Sequence, residues 1–329
     1  MAKPKVGILV KQSLREKILS GADLEKLKGF AEVSINPEDR DLTEAEAAEF
    51  LRGADGAMSS WQVTSLTPAI LEAAPNLKIW AYGAGSIKGK ICDEAWEKGV
   101  IATSAAPAIA DDVAELTMGF ITIGLRKVIQ YMRQMQANEK TVKDESRSLY
   151  KRTVGVIGAS QVGIRVMRLL RSYEVRLLLY DPYASKERVS QEFGAELVDL
   201  ETMARESDVV TCHAPKLPDT YHMWNATHLK LMKDDAVLVN TSRGDNIDEA
   251  ALIQELEKGR FFAFLDVTSP EPPLPDSPLR RLPNVVLTPH VAGQRSYRIG
   301  ASAVEELRRC FVGEAQLFRV TREMLDRLA

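Results

Sequence analysis

Short apolar runs alternate with helix-period patterns from one end of the chain to the other. That alternation predicts an α/β protein with mostly parallel sheets. In the first third, residues 6–10, 56–58 and 77–82 read as buried strands and 14–27 as a helix. Thr43 and Glu46 have capping-box spacing, with apolar Ala47, Phe50 and Leu51 behind them. Thr67 followed by Pro68 starts another helix. A long helix is expected from about Asp111 and Asp112, acids suited to a helix N-terminus. Its apolar stripe runs through Val113, Leu116, Phe120, Ile123, Leu125 and Val128, to about Gln136. The polar stretch 138–152 reads as a surface connection. A second set of strands follows at 153–157, 176–180, 209–213, 236–240, 262–267 and 285–288, with helices between them. This is the rhythm of a doubly wound domain over about 106–293. Residues 269–283 hold Pro270, Pro272, Pro273, Pro275, Pro278 and Pro283 and read as a stiff loop. A helix is expected after Gly293 to about Phe311, and a short one at 321–328.

At roughly 100–200 residues per domain, 329 residues suggest two domains. The 43 basic and 46 acidic residues leave a net charge of -3, which gives no electrostatic case for nucleic acid or an anionic membrane. No apolar run reaches the length of a membrane span, and residues 6–10 are too short for a signal sequence. Cys92, Cys212 and Cys310 form no CxxC pair, so a reducing, cytoplasmic setting is expected. The four histidines lack metal-ligand spacing, so no metal is expected.

One segment changes the picture. The strand 153–157 runs into Gly158-Ala159-Ser160-Gln161-Val162-Gly163, and an apolar-faced helix leaves it. Gly158 and Gly163 match the first and third glycines of a dinucleotide-binding turn. Ser160 stands at the middle position, where the backbone approaches a pyrophosphate. Serine is small and its hydroxyl is able to meet a phosphate; backbone N–H groups at the helix start would hold the anion. The next strand ends at Asp181, where an acid accepts from adenosine ribose hydroxyls and repels a 2′-phosphate. The expected cofactor is NAD. Three strand ends then carry groups suited to hydride transfer: Arg243 for a carboxylate, Glu271 in the proline loop, and His290.

In family order, the chain carries the glycine turn with Asp181, the run 240–249 (Asn-Thr-Ser-Arg-Gly-Asp-Asn-Ile-Asp-Glu), Asp266 with Glu271-Pro272, and 288–293 (Thr-Pro-His-Val-Ala-Gly). With these motifs it resembles the D-isomer-specific 2-hydroxyacid dehydrogenases over nearly its whole length. The resemblance implies two Rossmann-like lobes with doubly wound parallel sheets and an active site in the interdomain cleft. The substrate lobe would be 1–105 plus 294–329, and the NAD lobe 106–293. Arg243 would bind the substrate carboxylate, shared with backbone N–H groups at Ala84 and Gly85. His290 would be the acid/base, with Glu271 hydrogen-bonding it and favouring its protonated form. Asp266 would orient the nicotinamide, and Thr241 and Ser242 would lie along its ribose. Gly158, Ser160, Gln161, Val162 and Gly163 would hold the pyrophosphate, and His213, Ala214 and Pro215 would line the adenine side. The implied partner is a small 2-oxoacid or 2-hydroxyacid, and the implied assembly is a homodimer.

Two alternatives belong to the same resemblance. Formate dehydrogenases carry Gln where Glu271 stands, and some relatives act as NAD-sensing corepressors. Two departures bear on the substrate. Gly85-Ser86-Ile87-Lys88-Gly89-Lys90 replaces the usual loop, and Trp61 falls near the phosphate-binding Arg of phosphoglycerate dehydrogenases, where an indole cannot pair with phosphate.

Overall fold

The computed structural model describes residues 2–138, 146–294 and 296–325. The chain divides into two units. One takes it up to Ile109 and again from Gly293; the other takes Ala110–Ala292.

The first unit is built on β1 (Lys5–Ile8), β2 (Glu32–Ile35), β3 (Gly56–Ser60), β4 (Ile79–Gly83) and β5 (Ile101–Ser104). These are parallel, and the late strand Arg319–Val320 adds antiparallel to β5. β3 and β4 are buried along their whole lengths, as parallel strands covered on both faces must be. The core gathers Ile8, Met58, Ile79, Trp80 and Leu27, joined by Val304 and Leu307 of the helix Tyr297–Val312.

The second unit holds seven parallel strands: β6 (Thr153–Ile157), β7 (Arg176–Tyr180), β8 (Ala195–Leu197), β9 (Val209–Cys212), β10 (Val237–Asn240), β11 (Phe262–Leu265) and β12 (Val285–Leu287). Their order is β12-β11-β10-β9-β6-β7-β8, so the direction of winding reverses beside β6. Successive side chains point to opposite faces of a strand. Accordingly Leu178, Val210, Leu238 and Ala263 build one core, and Leu177, Leu179, Val209, Val237 and Val239 build the other. Phe120, on the helix Ala106–Leu125, meets Phe264 at 5.4 Å between ring centroids. Burying each such side chain contributes about 1.5–3 kcal/mol.

Four expectations need correction. The helix at 14–27 is two helices, Gln12–Ile18 and Gly21–Phe30, because Leu19 is extended and Ser20 caps the second through the Asp23 N–H. The long helix starts at Ala106, not near Asp111: Pro107 is tolerated in the first turn, and the Ser104 hydroxyl accepts the Ala106 N–H at 3.1 Å. It also ends at Leu125, where Lys127 turns left-handed (φ 50°) before a second helix, Val128–Gln136. The short helix at 321–328 is a single 3-10 turn, Arg322–Met324, and residues beyond 325 lie outside the described ones. Part of the connection at 138–152, residues 139–145, also lies outside them. The capping box at Thr43 and the Thr67–Pro68 start stand as read. Among the described residues no helix is long and apolar enough to cross a membrane.

Candidate active site

The carboxyl ends of the second unit's strands gather most of the residues singled out above. β6 ends in Gly158, whose φ of 92° suits glycine, and the helix Gln161–Leu170 begins three residues on. A Cβ on Gly163 would stand 2.0 Å from the Gly158 carbonyl oxygen, so only glycine lets the helix close on the turn. The Ser160 hydroxyl caps the helix by accepting the Gly163 N–H at 3.3 Å, which leaves its own hydrogen to donate. Asp181 is tied to this turn. One carboxylate oxygen accepts the Ala159 N–H at 2.7 Å and the other the Tyr183 N–H at 2.8 Å. Each oxygen keeps lone-pair capacity for a hydroxyl donor. The Gln161 side chain folds back to accept from Arg165 at 2.8 Å, and Val162 packs against the core.

His213, Ala214 and Pro215 follow β9. The Ala214 backbone would lie 3.1 Å from a Cβ on Gly158, so this segment forms the wall beside the turn. The His213 ring points inward. It is buried, Nε2 meets the Thr211 hydroxyl at 2.9 Å, and Nδ1 has no hydrogen-bond partner among the described residues. Burial pushes its pKa down to about 3, so the ring is neutral. The backbone of 213–215, rather than the imidazole, is what this wall presents. A tight glycine turn at a helix N-terminus with an acid on the next strand fits a dinucleotide.

Arg243 leaves the end of β10. Its guanidinium donates to the Ser242 carbonyl at 2.7 Å. Burial lowers its pKa, and the nearby Glu271 charge works the other way. Its backbone is held by residues that sequence reasoning left without a role. The Asn240 amide donates to the Arg243 carbonyl at 2.9 Å and accepts the Ser242 hydroxyl at 2.8 Å. The Asn246 amide reaches Ser242 Oγ at 3.2 Å and the Ala214 carbonyl at 2.7 Å, joining this strand end to the wall. Thr241 is turned to the helix Ala106–Leu125, its hydroxyl 2.8 Å from that of Thr117. A Cβ on Gly244 would lie 2.1 Å from the Thr268 carbonyl, so the backbone after Arg243 runs directly against the loop that carries Glu271.

Glu271 and His290 meet: Oε1 lies 2.6 Å from Nδ1. An ionised carboxylate only accepts, so Nδ1 carries the hydrogen in this pair. The His290 backbone is left-handed, with φ 53°. Asp266, at the end of β11, holds that backbone in place. Its carbonyl accepts the His290 N–H at 2.9 Å. Its carboxylate accepts the Thr288 hydroxyl at 2.5 Å and the N–H groups of Val291 and Ala292, each at 2.9 Å. The nicotinamide role implied for Asp266 thus falls on a buried carboxylate already engaged with the His290 loop.

Ala84 and Gly85 belong to the other unit, at the end of β4. Ser60 Oγ donates to the Gly83 carbonyl at 2.6 Å, and Ser104 Oγ donates to that of Gly85 at 2.6 Å. Trp61 packs partly buried against the first unit's core, Lys88 is exposed and Lys90 half-buried. Among the described residues no group of three or more His, Cys, Asp or Glu is placed to hold a metal.

Known proteins resemble this chain over most of its length. The sequence model "D-isomer specific 2-hydroxyacid dehydrogenase, NAD binding domain" matches residues 118–292. D-3-phosphoglycerate dehydrogenase of Methanocaldococcus jannaschii is 33% identical over 279 residues, 83% of this chain and 53% of that protein. The chain thus spans about half the length of that relative. Glyoxylate reductase of Korarchaeum cryptofilum is 32% identical over 275 residues, 82% of each chain. The solved structure of D-lactate dehydrogenase from Escherichia coli superposes with a TM-score of 0.70 at 25% identity, covering 96% of this chain and all of that one. The chain belongs to the D-isomer-specific 2-hydroxyacid dehydrogenase family and carries that family's NAD-binding domain.

Proposed function

We propose that this protein interconverts a 2-oxoacid and its D-2-hydroxyacid with NAD as the hydride carrier. The observation that carries the reading is the Glu271–His290 pair at 2.6 Å, beside a half-buried Arg243, on a nucleotide-binding unit. When bound, the cofactor supplies or accepts the hydride at the substrate carbon. Arg243 holds the substrate carboxylate through its planar fork of donors. With Nδ1 committed to Glu271, His290 gives its Nε2 proton to the carbonyl oxygen in reduction and takes it back in oxidation. Glu271 holds the ring through Nδ1 and so leaves Nε2 as the nitrogen that exchanges the proton. Gly158, Ser160, Gln161, Val162 and Gly163 hold the pyrophosphate. Asp181 accepts from the adenosine ribose and repels a 2′-phosphate, so NAD is preferred over NADP. His213, Ala214 and Pro215 line the adenine side, Thr241 and Ser242 the nicotinamide ribose. The first unit binds substrate through backbone N–H groups at Ala84 and Gly85. The family resemblance further supports a cytoplasmic homodimer.

The test is NADH oxidation at 340 nm against glyoxylate, hydroxypyruvate, pyruvate, branched and aromatic 2-oxoacids and 2-oxodicarboxylates, with NADPH in parallel. One class should turn over strongly, faster with NADH. His290→Ala should then lower kcat by about 10²–10⁴ while NADH affinity stays within about twofold. Silence across the panel from folded, NADH-binding protein would overturn the reading.

A further inference from the structure

We propose that Glu249 and Asp245 are positioning residues for the acid/base pair, holding Ser269 between them so that Glu271 reaches His290. The inference rests on the reading that Glu271 and His290 carry proton transfer.

Glu271 is 41% exposed, and its partner His290 43%. Burial therefore does not fix the Glu271 side chain, and its aim depends on how its loop is anchored. The anchor lies two residues upstream. The Ser269 N–H donates to Glu249 Oε2 at 2.8 Å, and the Ser269 hydroxyl donates to the Asp245 carboxylate. Lys216 pairs with Asp245, and the Thr268 hydroxyl closes on the Pro270 carbonyl at 2.8 Å. One serine is thus gripped by backbone and side chain at once, by two carboxylates from one connection.

That connection is the stretch after Arg243. Asp245 and Glu249 follow it by two and six residues, and Gly244 brings its backbone against Thr268. The same contacts therefore fix the arginine's strand end and the Glu271 loop relative to each other. Glu249 gives up solvation to do this. It is half-buried, and burial raises its pKa. A carboxylate desolvated without a bond in return is costly, so the Ser269 N–H accounts for its position. It also opens the helix Glu249–Leu256, where negative charge is favoured. Both acids stand in the run 240–249, and the proposed chemistry gives neither a role.

The experiment reads the His290 ring nitrogens by ¹⁵N NMR, which reports the nitrogen that carries the hydrogen whether or not the enzyme turns over. It is paired with kcat, KM and NADH Kd. Wild type and Glu249→Gln, which keeps an acceptor oxygen, should show the Nδ1–H form. Glu249→Ala should move toward the mixture seen in Glu271→Ala, with kcat lower by about tenfold to a hundredfold and NADH Kd unchanged. If Glu249→Ala fails to fold, Ser269→Ala cuts the Asp245 bond while keeping the backbone one, and an intermediate mixture is expected. A Glu249→Ala ring spectrum identical to wild type overturns the proposal, as does an unchanged Ser269→Ala spectrum where that variant stands in. A ring signature that depends on Glu249 in a protein that reduces no 2-oxoacid would support the anchoring and overturn the reaction.

Discussion

Both units are mostly parallel α/β sheets whose first strand sits beside the point where winding reverses, yet the glycine turn that fits a nucleotide follows that strand in the second unit alone. Counted from the N-caps of the helices that follow the first strands, Lys11 stands where Ser160 does and Leu14 where Gly163 does. In the second unit the helix closes on the turn because Gly163 has no Cβ, and Ser160 caps it. In the first unit Lys11 gives no side-chain cap; its ammonium pairs with Asp41 at 2.9 Å. The matched bonds from the Lys5 N–H to Asp55 and from the Thr153 N–H to Asp208 set buried Ser60 at the place of buried His213. Topology provides the crevice in both units, but a phosphate site also needs backbone within reach.

The largest way to break this comparison is Gly163→Val. The side chain would overlap the Gly158 carbonyl, so NADH binding by calorimetry should weaken by about 100-fold or more, equivalent to roughly 3 kcal/mol of overpacking. Next is acid sensitivity, which should separate the two units. His213 is neutral when folded, with a pKa of about 3 against about 6.5 unfolded. Between those values the unfolded chain binds more protons, so stability rises with pH through the window. The slope from this group is up to about 1.4 kcal/mol per pH unit. Urea unfolding at pH 4.5, 5.5 and 6.5 should show a flatter dependence in His213→Gln than in wild type, and in wild type amide exchange should quicken first in the second unit. The smallest effects test the turn itself. Ser160→Gly loses the cap, a few tenths of a kcal/mol, and one hydroxyl donor but keeps the backbone N–H groups at the helix start, and should change NADH Kd by less than about threefold. Lys11→Ala, at the matching place in the first unit, should leave it within about twofold. A large effect of Lys11→Ala would show that the alignment misassigns the two turns.

Much of this was legible in residue order because it depends on local chemistry. The turn at Gly158, Asp181 at its strand end and six of the second unit's seven strands all announce themselves by period, glycine and charge. The strands Glu32–Ile35, Ile101–Ser104 and Ala195–Leu197 did not, since polar residues interrupt each of them and no apolar run forms. The break at Lys127 was hidden by an apolar stripe that continues across it. That residue's buried ammonium meets Asp235 and lies over the Phe262 ring, contacts that only the folded chain creates. The same holds within the site. Arg243, Glu271 and His290 are chemically conspicuous, whereas Asn246 acts through a hydrogen bond to the distant Ala214 carbonyl and Asn240 through a turn that only the folded strand end creates.

The loop that presents His290 separates frame from tool. Asp266 takes three backbone N–H groups and a hydroxyl from it, and none of these bonds involves the imidazole. The side chain at 290 is therefore free to drift over generations without the loop losing its shape, provided the newcomer tolerates a left-handed backbone. Asparagine does so readily, and histidine more than most residues. A lineage that kept the aspartate and exchanged the histidine for asparagine would keep the architecture and lose the proton, which is one short path from a catalyst to a protein that only binds.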